Sequence, residues 1–240
     1  MRKINVITQK ELINPDLIRN CTAVVVDVFL ATSTIITLLE QQYEPIYPVK
    51  DYKTALEIAK LQVTPFLLMG EANGKEIENF DYPDPTFLKK TAYKKTAVIC
   101  STNGTIAVHK AKHAKVLYAS SLLNGHHVAN KISQQEDDSS IVIICSGNAG
   151  RFSLEDFIGA GHIIDYLVYK GEYTLSDSAM LARESFIHSK LNNFNNLFSC
   201  ETAEFLKFKG YEHTIQWVIN NFEKMITVPI FQGDYFVHKS

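Results

Sequence analysis

AVVVDVFLATST, residues 23–34, is the stretch that decides the fold class of this chain. Its four consecutive apolar residues, Ala23–Val26, predict a strand buried on both faces, as in the parallel sheets of α/β proteins. Asp27 follows at the carboxyl end of this strand, where open α/β sheets bind ligands. The hydroxyl residues Thr32–Thr34 then precede an apolar run that predicts a helix. A carboxylate facing hydroxyls and amides at a helix start suits a hard metal ion beside a phosphate, and it equally suits a side chain that only caps the turn.

Two later segments repeat this order of strand, polar loop and helix. Ala97–Cys100 is followed by the loop STNGT and by a helix predicted over about 106–114. Ile141–Cys145 is followed by SGNAGR and by a helix that Ser153 opens, with an acid three residues later as in a capping box. Each loop could present backbone amides to an anion, although many Gly-rich turns exist for backbone reasons only. Together the three units predict an α/β protein.

Length and composition are those of an ordinary globular chain, with 240 residues, 46% of them hydrophobic, and a net charge of −2. This charge balance gives no indication of nucleic-acid binding, and no run approaches the roughly 20 apolar residues of a membrane span. The N-terminus lacks the apolar core of a signal peptide. The scattered cysteines have no metal-binding spacing, which predicts free thiols in a cytoplasmic protein. They are Cys21, Cys100, Cys145 and Cys200.

Eight sequence blocks follow one another along nearly the whole chain: DVFLATST at 27–34, GE at 70–71, FD at 80–81, STNGT at 101–105, SLLN at 121–124, GRFSLEDF at 150–157, SDSA at 176–179 and VP at 228–229. In this order they resemble the 2-phosphosulfolactate phosphatase family. The resemblance implies an Mg²⁺-dependent phosphatase that hydrolyses 2-phospho-3-sulfolactate to sulfolactate and phosphate. In archaea this step lies on the route to coenzyme M.

The resemblance also implies the architecture, a three-layer α/β/α arrangement with a mixed, largely parallel sheet. We expect one phosphosulfolactate-phosphatase-like domain over residues 1–240, and a division into two lobes near 90–95 stays open. The implied partner is a small anionic phosphate ester; no nucleic-acid or membrane partner is expected, and a homodimer stays open. The segment from Gly70 to Pro85 is predicted to be an irregular, functional loop, because Pro83 and Pro85 prevent regular strand pairing.

The acidic residues are the predicted metal ligands. Mg²⁺ prefers oxygen ligands and takes one or two protein carboxylates, leaving the rest of its shell to water and phosphate. Glu155 and Asp156 fall in a first helical turn, where acids favour the helix dipole without any catalytic role. By resemblance, the family keeps the acids Asp27, Glu71, Asp81, Glu155 and Asp156. Metal ligands are predicted at Asp27, Glu71, Asp81 and Asp156, and catalytic roles at Asp27, Glu71, Glu155 and Arg151.

The anion-binding side of the site is predicted at the polar loops. Arg151 is important because the chain contains only four arginines, and a guanidinium holds phosphate or sulfonate through a planar fork that lysine lacks. The alternative role of Arg151 is a structural ion pair with a nearby acid such as Asp156. The predicted anion-binding set is Thr32, Ser33, Thr34, Thr102, Asn103, Gly104, Thr105, Gly147 and Arg151.

Two other phosphatase mechanisms can be weighed on the same residues. Cys145 and Arg151 have the C-x5-R spacing of cysteine-dependent phosphatases, in which a thiolate attacks phosphorus without a metal. No histidine directly precedes Cys145, and the acids would then have no use, which favours the metal route. An aspartyl nucleophile of the haloacid dehalogenase type needs a second aspartate two residues after the first, where this chain has Phe29.

The histidine pairs are predicted to have no role in the site. His109 and His113 have a metal-binding spacing on a helix, but the lysines around them favour a solvated basic face. His126 and His127 are predicted to lie in a loop with no second ligand nearby.

The chain departs from the family pattern at three positions where that pattern carries arginine. Leu30, Ala72 and Ile106 stand there instead, and PDPT at 83–86 replaces a GNSP element. We expect the three residues to line or border one pocket. Because the family substrate carries phosphate, sulfonate and carboxylate, we expect a catalytic efficiency on it at least about 100-fold below that of relatives. The retained acids favour a phosphatase for this or a less anionic monoester, whereas the lost arginines favour a non-catalytic member that binds a small anion or a protein partner.

Overall fold

The computed structural model describes residues 1–62, 65–87 and 95–238. Within these ranges the strands are β1 (Arg2–Ile7), β2 (Thr22–Val26), β3 (Tyr43–Val49), β4 (Phe66–Ala72), β5 (Lys75–Glu76), β6 (Lys95–Cys100), β7 (Val116–Ser120), β8 (Ile141–Cys145), β9 (Tyr173–Leu175), β10 (Pro229–Gln232) and β11 (Tyr235–His238). The helices are α1 (Pro15–Ile18), α2 (Ala31–Glu40), α3 (Tyr52–Lys60), α4 (Gly104–Ala111), α5 (Gly125–Ser133), α6 (Leu154–Lys170), α7 (Asp177–Leu191), α8 (Glu201–Phe208) and α9 (Glu212–Asn220). None of the described helices is long and apolar enough to cross a membrane. The lobe division predicted near 90–95 falls almost wholly on 88–94, outside the described residues.

The strands form one mixed sheet in the order β5-β4-β6-β3-β11-β10-β7-β2-β8-β1-β9. Two groups of parallel strands, β4-β6-β3 and β7-β2-β8-β1-β9, are joined by the antiparallel hairpin β10–β11. The hairpin pairs antiparallel with β7 through Ile230 and Tyr118, and with β3 through Phe236 and Ile46. The two parallel groups therefore run in opposite directions, which the strand patterns of the sequence do not indicate.

Strand β2 lies between β7 and β8 in the larger group and is buried on both faces, as predicted. Val24 and Val26 belong to an apolar cluster that also contains Ile158 of α6. Ala23 and Val25 point to the opposite face, into a cluster that contains Ile35 of α2. Apolar helices thus cover both sides of the sheet, and the predicted α/β fold with a mixed, largely parallel sheet is confirmed.

The segment from Gly70 to Pro85 is more regular than predicted. Its first residues complete β4, and β4 pairs antiparallel with β5 through Glu71 and Glu76. Gly70 donates its amide to the Asp81 carbonyl at 2.8 Å, which ties the remaining loop to the same strand. The prolines do restrict pairing, but they lie beyond this small hairpin, so the prediction of an irregular segment was wrong for residues 70–76.

Both histidine predictions need correction. Helix α4 ends at Ala111, so the exposed His113 lies outside it, while His109 is half-buried and 2.9 Å from the Pro48 carbonyl. His126 and His127 lie in the first turn of α5 and not in a loop. His126 also has ligand-type neighbours, because one ring nitrogen each of His126 and His162 and a carboxylate oxygen of Glu223 lie within 4.8 Å of one another. Sequence distance hid this cluster, since its members come from three separate segments.

Asp137 belongs to a polar network near the amino ends of β1, β7 and β8. It accepts hydrogen bonds from the Ser139 amide at 2.8 Å and from the Ser139 hydroxyl, and it pairs with Lys115 at 3.0 Å and Arg2 at 3.6 Å. The Ser139 hydroxyl, with Lys115 and Arg2, lowers the pKa of Asp137 to about 2 against the opposing effect of partial burial. The ionised carboxylate therefore stabilises the fold above the ordinary carboxyl pKa, and this contribution disappears as the pH falls toward 2.

Asp137→Asn should consequently lower the free energy of unfolding by about 1 kcal/mol at pH 7, a value reduced for solvent exposure. The difference in free energy of unfolding between Asp137→Asn and wild type should become smaller below about pH 4, where the carboxyl of the unfolded protein takes up its proton. Urea denaturation at pH 7, 5 and 3 measures it, with the exposed neighbour Asp138→Asn as a control that should change little. A difference of the same size at all three pH values would contradict this account of Asp137.

Candidate active site

A cavity of about 300 Å³ lies where the loops after β2, β4, β6 and β8 meet α8. Its volume is at the lower end of the range for small-molecule sites. Of the predicted site residues, Asp27, Glu71, Thr102, Asn103 and Arg151 line it. The full lining is Asp27, Phe29, Leu30, Ala31, Glu71, Asn73, Gly74, Tyr82, Pro83, Ser101, Thr102, Asn103, Asn148, Ala149, Arg151, Glu201, Thr202, Phe205 and Leu206.

Asp27 lies on the wall of the cavity, between the starts of two helices. Its Oδ1 accepts a hydrogen bond from the Ala31 amide of α2 at 3.2 Å. Its Oδ2 lies against the start of α4, where a Cβ on Gly104 would come within 2.6 Å of this oxygen and of the Ala31 Cβ. Only glycine therefore lets α4 approach the carboxylate so closely. The positive ends of both helix dipoles thus lie near Asp27, as expected for a site that holds negative charge.

Asp27, Glu155 and Asp156 are all buried and place their charges near one another. Burial and the neighbouring charges of Glu155 and Glu71 raise the pKa of Asp27, opposed by its bond to Ala31 and by the charge of Lys10. Burial, Asp27 and Glu155 raise the pKa of Asp156 as well. A cation beside Asp27 would relieve this repulsion.

Asp156 connects two of the loops from inside the protein. Its Oδ1 accepts a hydrogen bond from the Val28 amide at 2.9 Å, and its Oδ2 accepts one from the Gly147 amide at 3.1 Å. Ser153 caps α6 by accepting from the Asp156 amide at 3.3 Å, as predicted. Neither Asp156 nor Glu155 lines the cavity. The Gly147 amide is occupied by Asp156, so Asp156 and Gly147 hold the two loops together.

Glu71 holds the other side of the cavity in place. One carboxylate oxygen accepts from the Thr102 amide at 2.5 Å, and the other accepts from the Thr102 hydroxyl at 2.9 Å and the Gly74 amide at 2.6 Å. The Asn73 amide in turn donates to the Thr102 hydroxyl at 2.7 Å. This network joins the β4–β5 turn to the loop after β6 and fixes the Thr102 side chain.

The remaining predicted hydroxyls point inward. Thr32 donates to the carbonyls of Asp27 and Ser120, and Ser33 donates to Val28. Thr34 donates to Leu30 and Pro83, and the Thr105 hydroxyl donates to the Ser101 carbonyl. All four side chains are fully buried and do not line the cavity. These four hydroxyls therefore stabilise the loops around Asp27 and Asn103.

Asp81 lies away from the other acids. It is exposed, and with Phe66, Leu68 and Asn79 it lines a different, shallow cleft along β4. Its amide and carbonyl bond to Leu68 and Gly70. Asp81 thus belongs to the outer edge of the small parallel group and does not reach the Asp27 cavity.

Arg151 lies at the mouth of the cavity and pairs with Glu201 of α8 at 3.1 Å, and not with Asp156. Both side chains are about two-thirds exposed, and exposed pairs of this kind contribute little stability. The guanidinium can therefore leave Glu201 for an anionic ligand at small cost. Among the cavity-lining residues that the structure describes, Arg151 is the one arginine.

Leu30, Ala72 and Ile106, which stand where the family pattern has arginine, differ in their position relative to the cavity. Leu30 lines the cavity, whose lining also includes Tyr82, Phe205 and Leu206. Ala72 is exposed and lies between the lining residues Glu71 and Asn73, so it borders the cavity. Ile106 is half-buried in the first turn of α4 and is not among the lining residues.

Lys10 is a charged residue near the site that sequence reasoning missed. It is 5% exposed, and its Nζ donates to Asn103 Oδ1 at 2.7 Å and pairs with Glu11 at 3.0 Å. Its charge also acts on Asp27. Lys10 follows β1 at the carboxyl end of a strand, the same placement that drew attention to Asp27.

Cys145 is fully buried at the end of β8 and does not line the cavity. Burial, with the nearby charges of Asp156 and Glu155, raises the pKa of its thiol well above the ordinary value. A nucleophilic cysteine needs the opposite shift. All four cysteines are free, as predicted.

The donor set of the cavity fits Mg²⁺. Asp27, Glu71, Asn103 and Ser101 line it with side chains that carry carboxylate, amide and hydroxyl oxygens, and Mg²⁺ prefers oxygen ligands. Among the described residues, no three of the predicted acids bring ligand oxygens within 4.8 Å of one another. One or two carboxylates nevertheless suffice where phosphate and water complete the shell.

Comparison with known proteins identifies the family of this chain. A model of the 2-phosphosulpholactate phosphatase family matches residues 7–234. A protein of Clostridium novyi (strain NT), named a probable 2-phosphosulfolactate phosphatase, is 35% identical over 206 residues, 81% of this chain and 86% of the relative. Proteins of the same name from Clostridium tetani (strain Massachusetts / E88) and Clostridium botulinum (strain Alaska E43 / Type E3) are 37% identical over 182 residues and 28% identical over 239 residues. These matches cover 75% and 98% of this chain, and 77% and 99% of the relatives.

Proposed function

Because this chain belongs to the 2-phosphosulpholactate phosphatase family, a family of phosphoric monoester hydrolases, we propose that it hydrolyses a small phosphate monoester in an Mg²⁺-dependent reaction. The reaction would consume one water and release phosphate and the free alcohol, which is sulfolactate when the ester is 2-phospho-3-sulfolactate. The observation that carries the proposal is Asp27, a buried carboxylate on the cavity wall between the starts of α2 and α4.

In this proposal Asp27 is the principal metal ligand and Glu71 the second carboxylate available at the cavity. A bound Mg²⁺ would supply Lewis-acid stabilisation of the phosphoryl oxygens. Asp81 and Asp156 take no part, since Asp81 lines another cleft and Asp156 is buried and does not line the Asp27 cavity. Glu155 acts on Asp27 through its charge and not by contact with the ester.

The phosphate would be bound by Thr102, Asn103 and Arg151. Thr102 and Asn103 are held by Glu71 and Lys10 respectively, so their positions are fixed before the ester arrives. Arg151 exchanges its exposed partner Glu201 for the anion, and its planar fork suits two phosphate oxygens. The apolar wall at Leu30, Phe205 and Leu206 excludes water from the organic part of the ester.

The charge of the cavity predicts its substrate preference. With one arginine on the wall, the protein should prefer a simple phosphate monoester to an ester that also carries sulfonate and carboxylate. Leu30→Arg should then raise kcat/KM for 2-phospho-3-sulfolactate by about 10- to 100-fold, since a charge-assisted bond contributes about 1.5–3 kcal/mol. Phosphate release from both esters, with and without Mg²⁺, measures this preference.

Ile106→Arg is the matched control for this experiment. It restores an arginine of the family pattern outside the cavity lining, so its effect on kcat/KM should be small. Circular dichroism of Leu30→Arg tests whether the buried Leu30 position accepts the longer side chain. An equal gain in kcat/KM for 2-phospho-3-sulfolactate from both substitutions would contradict the proposed role of Leu30 in substrate preference. No gain from Leu30→Arg in a folded protein would contradict it as well.

The metal route also predicts that the cysteine is dispensable. Cys145→Ala should keep phosphate release within about threefold of wild type, because the thiol is buried and its pKa is raised. Its stability should fall by about 1 kcal/mol through the small cavity that the missing sulfur leaves. Loss of activity in a folded Cys145→Ala protein, together with full wild-type activity in EDTA, would instead support a thiolate nucleophile.

A further inference from the structure

His126, His162 and Glu223 form a cluster that the proposed reaction does not use. One ring nitrogen of each histidine and a carboxylate oxygen of Glu223 lie within 4.8 Å of one another. His162 Nε2 is 3.0 Å from Glu223 Oε1. Two imidazoles and one carboxylate are the protein ligand set of many zinc sites, in which a water or a fourth side chain completes the tetrahedron.

Polar atoms inside the cluster are left without partners. His162 is fully buried, and neither its Nδ1 nor the Nδ1 of His126 has a hydrogen-bond partner among the described residues. Buried polar groups are nearly always satisfied, so two unpaired imidazole nitrogens on neighbouring rings indicate a missing ligand. The ring centroids of the two histidines are 6.1 Å apart.

The surroundings of the cluster hold its side chains in place. Phe186 and Phe222 pack on the His162 ring with centroid distances of 5.1 and 5.0 Å. A Cβ on Gly125 would lie 2.4 Å from His162 Nδ1, so the glycine lets this ring approach the start of α5. Glu223 has a left-handed backbone with φ of 58°, and its amide donates to the Leu122 carbonyl at 3.1 Å.

We propose that His126, His162 and Glu223 bind a transition-metal ion of the Zn²⁺ type at a site separate from the Asp27 cavity. The ligands come from α5, α6 and the turn after α9, so the ion would tie these three segments together. Glu223 is partly exposed and His126 only half-buried, which leaves the ion a path from solvent. Nitrogen ligands favour Zn²⁺ over Mg²⁺, so the two sites would select different metals.

Metal-stripped full-length protein titrated with Zn²⁺ in a large excess of Mg²⁺ tests this proposal by calorimetry. We expect one equivalent of Zn²⁺ to bind and to raise the thermal midpoint of unfolding. His126→Ala and Glu223→Gln should each weaken binding by about 100-fold. Two variants are used because either substitution alone could impair folding. Glu223→Gln retains the shape of the side chain.

Two control variants distinguish Zn²⁺ binding at this cluster from binding at an exposed histidine or in the Asp27 cavity. His113→Ala removes an exposed histidine outside the cluster, and Asp27→Asn removes the principal carboxylate of the cavity; both should bind Zn²⁺ as wild type does. Co²⁺ substitution should give the visible absorption of a tetrahedral nitrogen and oxygen site in wild type and lose it in His126→Ala. Unchanged Zn²⁺ affinity in His126→Ala and Glu223→Gln, or the absence of saturable binding by wild type, would overturn the proposal.

Discussion

Asp27→Asn should lower kcat/KM for phosphate release by about 100- to 1000-fold while leaving the protein folded. The substitution keeps the shape of the side chain but removes the negative charge that the proposed Mg²⁺ site depends on. Without metal, the same variant should be more stable than wild type at pH 8, by about 1–2 kcal/mol. Burial and the charges of Glu155 and Glu71 raise the folded pKa of Asp27, so its ionised form destabilises the protein at this pH. The gain should vanish at low pH, where the carboxyl is neutral in both states.

Asp81→Asn is the control for this comparison. Asp81 is an acid of the same family pattern, but it lies in the separate cleft along β4. Its amide variant should therefore keep activity within about twofold of wild type. Steady-state assays and urea denaturation in EDTA give both readouts. If Asp27→Asn kept more than a tenth of the wild-type activity, or if Asp81→Asn were as impaired, the assignment of Asp27 would fail.

Gly161→Ala should lower the free energy of unfolding by about 2–4 kcal/mol, more than any other substitution discussed. Gly161 lies where α6 packs on α7, and a Cβ there would come within 2.0 Å of the Ala182 carbonyl oxygen and 2.7 Å of the Phe186 Cβ. The helices must separate to admit it, and the better helix propensity of alanine recovers only about 1 kcal/mol. For a chain of this size the thermal midpoint should fall by about 5–15 °C.

Gly171→Ala provides the matched comparison at the end of the same helix. There the nearest atom to an added Cβ is a ring carbon of Tyr173 at 3.7 Å, an ordinary contact. Its effect should stay within about 0.5 kcal/mol. Thermal and urea unfolding of both variants measure the difference. Equal stability of the two proteins would show that α6 and α7 are not packed as closely as the structure has them.

Strand β2 and its loop could be predicted because they depend on local sequence. A run of apolar residues indicated β2, and the polar loops that follow strands supplied Asp27, Thr102, Asn103 and Arg151 of the cavity wall, whereas the family resemblance supplied Glu71. The antiparallel hairpin β10–β11 could not be placed, because nothing local determines which strands it joins. Its insertion reverses the direction of one parallel group relative to the other.

The roles of the hydroxyls required the structure. Thr32, Ser33 and Thr34 resemble anion-binding residues in sequence, but their hydroxyls donate hydrogen bonds to nearby backbone carbonyls. Lys10 and Phe205 reach the site from distant parts of the chain, and His162 meets His126 and Glu223 in the same way. A single sequence carries no information about such long-range contacts.

Phosphate release by the unmodified protein, measured in Mg²⁺ and again in EDTA on 2-phospho-3-sulfolactate and a simple monoester, is the decisive test of Mg²⁺-dependent hydrolysis at Asp27. We expect phosphate release from both esters that depends on Mg²⁺ and stops in EDTA, with the simple monoester preferred. Failure to release phosphate from either ester would favour the anion-binding or partner-binding role of a non-catalytic family member. Release that is equally fast in EDTA would contradict the metal site at Asp27.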